Sequence, residues 1–150
     1  MTIIKPHILA ALARLRPIDW QKARLYRWER NIVWPIFGSD VPRGMDEITN
    51  LANLLAKAVR ATRNPIVVIN PESPGPRALI FKNTITLPAV VWLGYKPAIA
   101  HEIAHLVRHS TSHNGKFVKV YCYLLSHLPG APTRHFFVRS AMRHGIRVAR

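Results

Sequence analysis

The sequence has few acidic residues and almost no cysteine. Seven Asp and Glu stand against 22 Lys and Arg, so the 150-residue chain carries a formal net charge of +15. Such a field favours polyanions, and it predicts nucleic acid or an acidic protein as a partner. Cys122 is the only cysteine, which excludes an intrachain disulfide and a zinc site built from a cluster of cysteines.

Long apolar runs are also missing from the sequence. No stretch approaches the roughly 18 apolar residues of a membrane-spanning helix, so no membrane partner is expected. The segment 1–15 is interrupted by Lys5, Pro6, His7 and Arg14, and it therefore lacks the apolar centre of a signal peptide. Together these features predict an intracellular protein without a signal peptide.

The apolar pattern predicts one α+β domain over residues 19–150, preceded by a loosely attached arm over residues 1–18. Asp19 is expected to cap a first helix. A loop over residues 35–44 should then lead to an amphipathic helix capped by Asp46. Hydrophobic residues make up 49% of the chain, which is enough for a core in a domain of this size.

Three short β-rich runs come next, over residues 66–69, 78–81 and 84–87. Because turn-forming residues separate them, they predict a small antiparallel sheet. A helix that starts near Pro97 follows the sheet, and two further helices follow that one, the first of them opened by Gly115.

The segment His101-Glu102-Ile103-Ala104-His105 lies in the helix after the sheet. Residues four apart share a helix face, so His101 and His105 can bind one metal ion, and Glu102 can reach a water molecule without binding the metal. This is the H-E-x-x-H arrangement of zinc metallohydrolases. Only four Glu occur in the chain, and the other three lie far in sequence from any other histidine. The pattern therefore predicts one Zn²⁺ per chain.

A catalytic zinc ion usually takes three protein ligands, so one more is needed. His109 falls near the same helix face, but it lies about 12 Å from His101 along a straight helix axis. His113 follows a Ser-Thr-Ser stretch that should end the helix and let the chain turn back. His113 is the favoured third ligand, and His109 is the alternative.

The motif followed by Ser112-His113-Asn114-Gly115-Lys116-Phe117 resembles the H-E-x-x-H … H-G-x-x-F pattern of small zincin-like metallopeptidases of phages and actinobacteria. These proteins are related to the SprT-like and YgjP-like families. The resemblance covers about residues 84–125, and the inserted Asn114 departs from the pattern. It implies a zincin-like fold with a sheet edge before the motif helix. It also implies zinc ligation by His101, His105 and His113, with Glu102 as the base.

These features predict a zinc-dependent metallopeptidase in which Glu102 activates a zinc-bound water to hydrolyse a peptide bond. An extended peptide or protein substrate is expected to add to the sheet edge at Thr84–Leu87. A donor is also needed for the developing oxyanion, and four residues are left open for this role: Tyr121, His135, Arg139 and His144.

The last helix is expected to run from Pro132 to Gly145, a C′ residue, with a basic tail beyond. If the helix persists further, four arginines form a stripe along it: Arg139, Arg143, Arg147 and Arg150. Such a stripe could contact phosphates, although a solvated helix face is the simpler interpretation. With the net charge, it favours a peptidase that acts on nucleic-acid-associated proteins. The alternative function is a non-catalytic, zinc-stabilised basic protein that binds nucleic acid or serves in an assembly such as that of a phage.

Overall fold

The computed structural model describes residues 19–38, 41–89 and 95–150, so the expected arm over residues 1–18 lies outside the described residues. The helices are α1 (Lys22–Trp28), α2 (Trp34–Phe37), α3 (Met45–Ala58), α4 (Tyr95–Arg108), α5 (Gly115–Leu125) and α6 (Arg134–Arg143). The strands are β1 (Ile66–Ile69), β2 (Arg77–Leu79) and β3 (Thr84–Leu87). The order of helices, small sheet, motif helix and helices confirms the α+β class.

A π-helical turn over Glu29–Val33 joins α1 to α2, so the two form one continuous helix. The Trp34 N–H donates to the carbonyl of Glu29, five residues back. Helical backbone therefore continues through Pro35 to Phe37, and the chain leaves it at Gly38, whose φ is +69°. The expected loop over residues 35–44 is wrong at its start, because proline fits the first turn of a helical segment.

The three strands form a mixed sheet in the order β1–β3–β2. β2 and β3 are antiparallel as expected, but β1 runs parallel to β3, with Ile66 opposite Thr84. The loop after β1 contains Pro71, Pro74 and Pro76, and it reverses the chain but leaves room for β3 between β1 and β2, so the two strands do not form a tight hairpin. The expected fully antiparallel sheet is therefore wrong for the first strand.

β3 is the central strand, and all four of its residues are buried. Both of its backbone edges are paired, so the expected addition of substrate at Thr84–Leu87 is wrong. β2 is an edge strand, and it packs against the motif helix α4. Sequence periodicity identified the strands but could not tell which of them lies in the centre.

The hydrophobic core joins all six helices and β3 in one cluster of buried side chains. Its largest members on three of the helices are fully buried: Trp28, Phe117, Tyr121 and Phe137. Cys122 is buried among them, and burial raises the pKa of its thiol to about 12. Over the described ranges, the longest helices are too short or too polar to cross a membrane.

The last helix ends as the sequence predicts, because α6 stops at Arg143 and Gly145 follows as the C′ residue with a φ of +72°. Arg147 and Arg150 therefore lie in a non-helical tail, and the helix does not persist far enough to carry all four arginines on one face. The tail lies against α5, where the Ala149 N–H donates to the Gly115 carbonyl at 2.9 Å. A Cβ at Gly115 would meet the Ala149 nitrogen at 3.0 Å, so a larger residue there would push the tail by a few tenths of an ångström.

Candidate metal centre

Three histidines converge in the core. α4 supplies His101 and His105, and the loop before α5 supplies His113. Their Nε2 atoms lie 3.1 Å apart for His101–His105 and His101–His113, and 3.2 Å apart for His105–His113. Bonds of about 2.0–2.1 Å at tetrahedral angles would place ligand nitrogens about 3.3 Å apart. The triangle therefore has the size that a tetrahedral zinc ion needs, and the three histidines could hold a metal.

The opposite nitrogen of each ring, Nδ1, has an acceptor of its own. His101 pairs with Glu29 Oε1 at 2.7 Å, and His113 pairs with Asp19 Oδ2 at 2.6 Å. His105 donates to the Ser110 carbonyl at 2.8 Å. Each partner holds the hydrogen on Nδ1 and leaves the Nε2 lone pair facing the centre of the triangle. This arrangement is typical of the residues that orient metal-binding histidines.

His109 lies outside this cluster. It has a left-handed backbone with a φ of 48° and ends α4. The His109 N–H bonds the Leu106 carbonyl and the Ser110 N–H bonds the His105 carbonyl, which together make a Schellman motif. Its side chain is exposed. The structure therefore brings His113, and not the alternative His109, together with His101 and His105.

The loop that returns His113 to the cluster is fixed from both sides. The Asp19 carboxylate accepts from the His113 N–H at 3.0 Å as well as from its ring. Asn114, the departure from the family pattern, is the N-cap of α5 and accepts from the Phe117 N–H at 3.1 Å. The expectation that Asp19 caps α1 with its side chain is wrong, because its carboxylate accepts hydrogen bonds from His113 instead.

Burial and the neighbouring carboxylates set the ionisation of the cluster. Burial lowers the pKa of His105 to about 3, with the adjacent imidazoles adding to the effect, and burial also lowers the pKa of His113. Burial lowers the pKa of His101 too, but the charge and hydrogen bond of Glu29 outweigh it and the pKa rises overall. The neutral imidazoles of His105 and His113, with the carboxylate beside His101, favour a cation at the centre of the triangle.

Glu102 lies one residue from His101 and is 7% exposed. Burial raises the pKa of its carboxyl group, while the charge of His101 and a hydrogen bond from the Ala78 N–H of β2 oppose the rise. Glu102 and His101 open into a cavity of about 380 Å³. The other lining residues mix apolar and polar side chains: Tyr26, Glu29, Arg30, Trp34, Pro76 and Ala98.

The four expected oxyanion donors do not reach this cavity. Tyr121 is fully buried, and its ring packs on His101 at 5.4 Å between centroids. Its hydroxyl faces Glu29 without a hydrogen bond of good geometry. His135, Arg139 and His144 are exposed on α6 or just beyond it.

The sequence patterns missed three residues around the cluster: Asp19, Tyr26 and Glu29. Tyr26 packs on His101 and His113, with ring centroids 5.8 Å and 5.3 Å away. Burial raises the pKa of Tyr26 to about 12, and the nearby carboxylates add to the rise. Glu29 is one of only four glutamates, and its place in an otherwise apolar and basic helix is a signal that could have identified it.

No protein-family model matches the chain, and no curated protein matches it. Among solved structures, the chain is similar to the metallopeptidase zymogen of Pyrococcus abyssi abylysin, with a TM-score of 0.43 and 16% sequence identity. The match covers 68% of this chain and 99% of that chain. The functional argument therefore depends on the geometry of the site.

We expect the wild-type protein to bind one zinc ion and His113→Ala to lose it, because two ligands on one helix do not hold zinc tightly. His109→Ala should keep full zinc content, since its side chain lies outside the triangle. Elemental analysis of the dialysed proteins measures both. Loss of zinc in His109→Ala with retention in His113→Ala would overturn the assignment of the third position.

Asp19→Asn should weaken zinc binding by about 10- to 100-fold, because the amide carries no charge and holds the His113 ring less firmly. Asp46→Asn is the matched control, since Asp46 is exposed at the start of α3. Competition with a fluorescent zinc chelator gives the two affinities. Equal affinities for the two variants would show that Asp19 does not support the metal site.

Proposed function

We propose that the chain is a zinc-dependent metallopeptidase in which His101, His105 and His113 hold the ion and Glu102 is the general base. The observation that carries this proposal is the triangle of Nε2 atoms, 3.1–3.2 Å apart, beside a carboxylate that opens into a cavity. The resemblance of the segment 84–125 to small zincin-like metallopeptidases supports it, and so does the resulting α+β arrangement.

The number of metal-binding side chains favours a catalytic site over a structural one. Structural zinc sites are normally closed by four protein ligands, whereas catalytic sites use three and leave one position open. Among the described residues, the cluster contains three histidines and no fourth His, Cys, Asp or Glu within reach. A non-catalytic zinc-stabilised protein, the alternative function, would also have no use for a buried carboxylate beside the open position.

Zinc, when bound, supplies a Lewis acid that makes water a nucleophile near neutral pH. The chain supplies the proton transfers. Glu102 accepts a proton from the attacking water as the water oxygen bonds to the carbonyl carbon, and it then delivers that proton to the amide nitrogen. The carbon–nitrogen bond breaks, and the products are a carboxylic acid and an amine. Glu29 and Asp19 keep the His101 and His113 rings in place throughout.

We place the substrate beside β2 and not beside β3. β2 is the sheet edge that packs on α4, and Pro76, just before it, lines the cavity. An extended peptide can add to such an edge through main-chain hydrogen bonds. The Ala78 N–H already bonds Glu102, so the edge strand and the base are held in a fixed relation to each other.

Glu102→Gln should keep one zinc ion per chain and lower peptide hydrolysis by about 10²- to 10⁴-fold, the usual contribution of a general base. Glu72→Gln, in the exposed loop after β1, should cleave like the wild type. Cleavage is measured on fluorescein-labelled casein and, by mass spectrometry, on a library of unstructured peptides.

Hydrolysis by Glu102→Gln at the wild-type rate would contradict the role of Glu102. A zinc-loaded wild-type protein that cleaves neither casein nor the library would contradict the peptidase itself and favour the non-catalytic alternative.

Nucleic acid is the partner that we propose for the basic surface, so that the peptidase acts on nucleic-acid-associated proteins. The charge is distributed unevenly, because no Asp or Glu occurs after Glu102. The same part of the chain carries eight basic residues: Arg108, Lys116, Lys119, Arg134, Arg139, Arg143, Arg147 and Arg150. A surface without acidic residues attracts a phosphate backbone at long range.

Within the described residues, the arginines of this surface lack acidic partners, and the tail that carries two of them is fixed to the domain. The ion pairs among the described residues join a histidine to a carboxylate and leave the arginines of α6 and the tail without an acidic partner. The tail is fixed to α1 by Gln21, whose side chain bonds both the N–H and the carbonyl of Arg147. Arg24 also donates to the Gly145 carbonyl. The basic tail is therefore held against α1.

Binding to a 20-base-pair DNA duplex should weaken steeply with salt, and a triple change of Arg139, Arg143 and Arg147 to Gln should lower the slope of log K against log salt by about 2 to 3. A triple change of Lys57, Arg60 and Arg63 to Gln removes the same charge near the end of α3 and is the matched control. Fluorescence anisotropy measures both slopes. Equal losses would show that no defined surface is used, and no binding at low salt would remove nucleic acid as partner.

A further inference from the structure

Tyr26 lies between the histidine cluster and the cavity, where the proposed reaction needs a hydrogen-bond donor. Its ring contacts both His101 and His113, and it lines the cavity into which Glu102 opens. The side chain is 40% exposed, so it also faces solvent and any bound substrate. Within the described part of the chain its hydroxyl makes no hydrogen bond, although the carboxylates of Glu29, Glu102 and Asp19 lie near it.

Peptide hydrolysis places negative charge on the former carbonyl oxygen, and a fixed hydrogen-bond donor is needed there. Three residues that line the cavity carry donors: Tyr26, Arg30 and Trp34. Of these three, Tyr26 is the residue whose ring contacts two of the three histidines, so it is the donor-bearing side chain next to the metal site. Arg30 lies one helical turn further along, in the π-helical turn.

The helix that carries Tyr26 is fixed to the cluster at both ends. Asp19, just before α1, bonds His113, and Glu29, just after it, bonds His101. Tyr26 therefore stands between two anchor points, and Lys22 lies over its ring at 5.6 Å. A donor held in this way needs little reorganisation when charge develops, which is the condition for strong electrostatic stabilisation.

We propose that Tyr26 is a catalytic residue whose hydroxyl donates a hydrogen bond to the oxyanion of the tetrahedral transition state. The inference rests on the proposed peptidase function. As the water oxygen bonds to the carbonyl carbon, the π electrons of the C=O bond move to oxygen, and the Tyr26 O–H points at that oxygen while keeping its proton. Glu102 carries the proton from water to the leaving nitrogen, so the two residues have separate tasks.

The test compares Tyr26→Phe with Tyr123→Phe and Arg30→Gln, all loaded with zinc. Tyr123 is the matched control, because its hydroxyl donates to the Ala58 carbonyl, outside the cavity. Zinc content should be unchanged in all three variants. Acetohydroxamate, a small zinc-binding acid with an oxygen at the oxyanion position, should bind Tyr26→Phe about tenfold more weakly, the effect of one hydrogen bond. Tyr123→Phe should bind it like the wild type, and Arg30→Gln should lose less affinity than Tyr26→Phe.

In the casein assay, Tyr26→Phe should lower kcat by about 10²- to 10³-fold with little change in KM, because the hydrogen bond forms in the transition state. Wild-type hydroxamate affinity and kcat in Tyr26→Phe would overturn the proposal while leaving Glu102 and the peptidase intact. Loss of zinc in Tyr26→Phe would overturn it in favour of a structural role, and loss of affinity in Arg30→Gln alone would transfer the role to Arg30.

A wild-type protein that holds zinc but neither cleaves casein nor binds acetohydroxamate would contradict the proposed function and this inference together. If only the assignment of Tyr26 is wrong, the wild type is active and Tyr26→Phe behaves like it.

Discussion

Three imidazoles can face one another in a protein core only if each presents a lone pair and its other nitrogen is bonded elsewhere. In this chain the Nδ1 atoms of His101, His105 and His113 meet Glu29, the Ser110 carbonyl and Asp19. A buried ring nitrogen without a partner would cost free energy, and a rotated ring would turn its lone pair away from the centre. The rest of the molecule is arranged to supply these three acceptors.

The few acidic residues of this chain, whose net charge is +15, are concentrated at the histidine cluster. Three of the seven, Asp19, Glu29 and Glu102, are gathered at the cluster. Glu29 and Glu102 are buried, and buried carboxylates are costly unless paired, so the imidazoles beside them offset only part of that cost. A divalent cation bound by the Nε2 atoms would compensate the remaining negative charge, so the charge balance of the site itself favours a metal ion.

The sequence predicted the local part of the site and missed the long-range part. His101, Glu102 and His105 follow from helical spacing, and His113 from the turn after the helix, because both depend on neighbours in the chain. Asp19 was interpreted as a helix cap, which is a sound inference from position alone. Its bond to His113 spans 94 residues and leaves no local pattern.

The same distinction applies to the fold. The periodicity of the β-rich runs located the strands, but it could not show that β3 lies between β1 and β2, because strand order depends on contacts across the whole sheet. The end of α6 was predicted correctly from Gly145, because a C′ glycine is a local signal. The position of the tail beyond it was not predicted, since the Arg147 backbone is bonded to Gln21, 126 residues away.

Two departures from regular helix geometry place the residues that orient the ligands. The π-helical turn begins at Glu29, and the residue that ends α4, His109, takes a left-handed backbone just before Ser110. A regular α-helix in either place would turn these acceptors to a different angle, so each irregularity is tied to one imidazole. Because Asp19 and Glu29 flank α1 and the histidines come from α4 and the loop before α5, packing of the first helix and assembly of the site are one event. Metal affinity and folding of the N-terminal helix must therefore be linked, each stabilising the other.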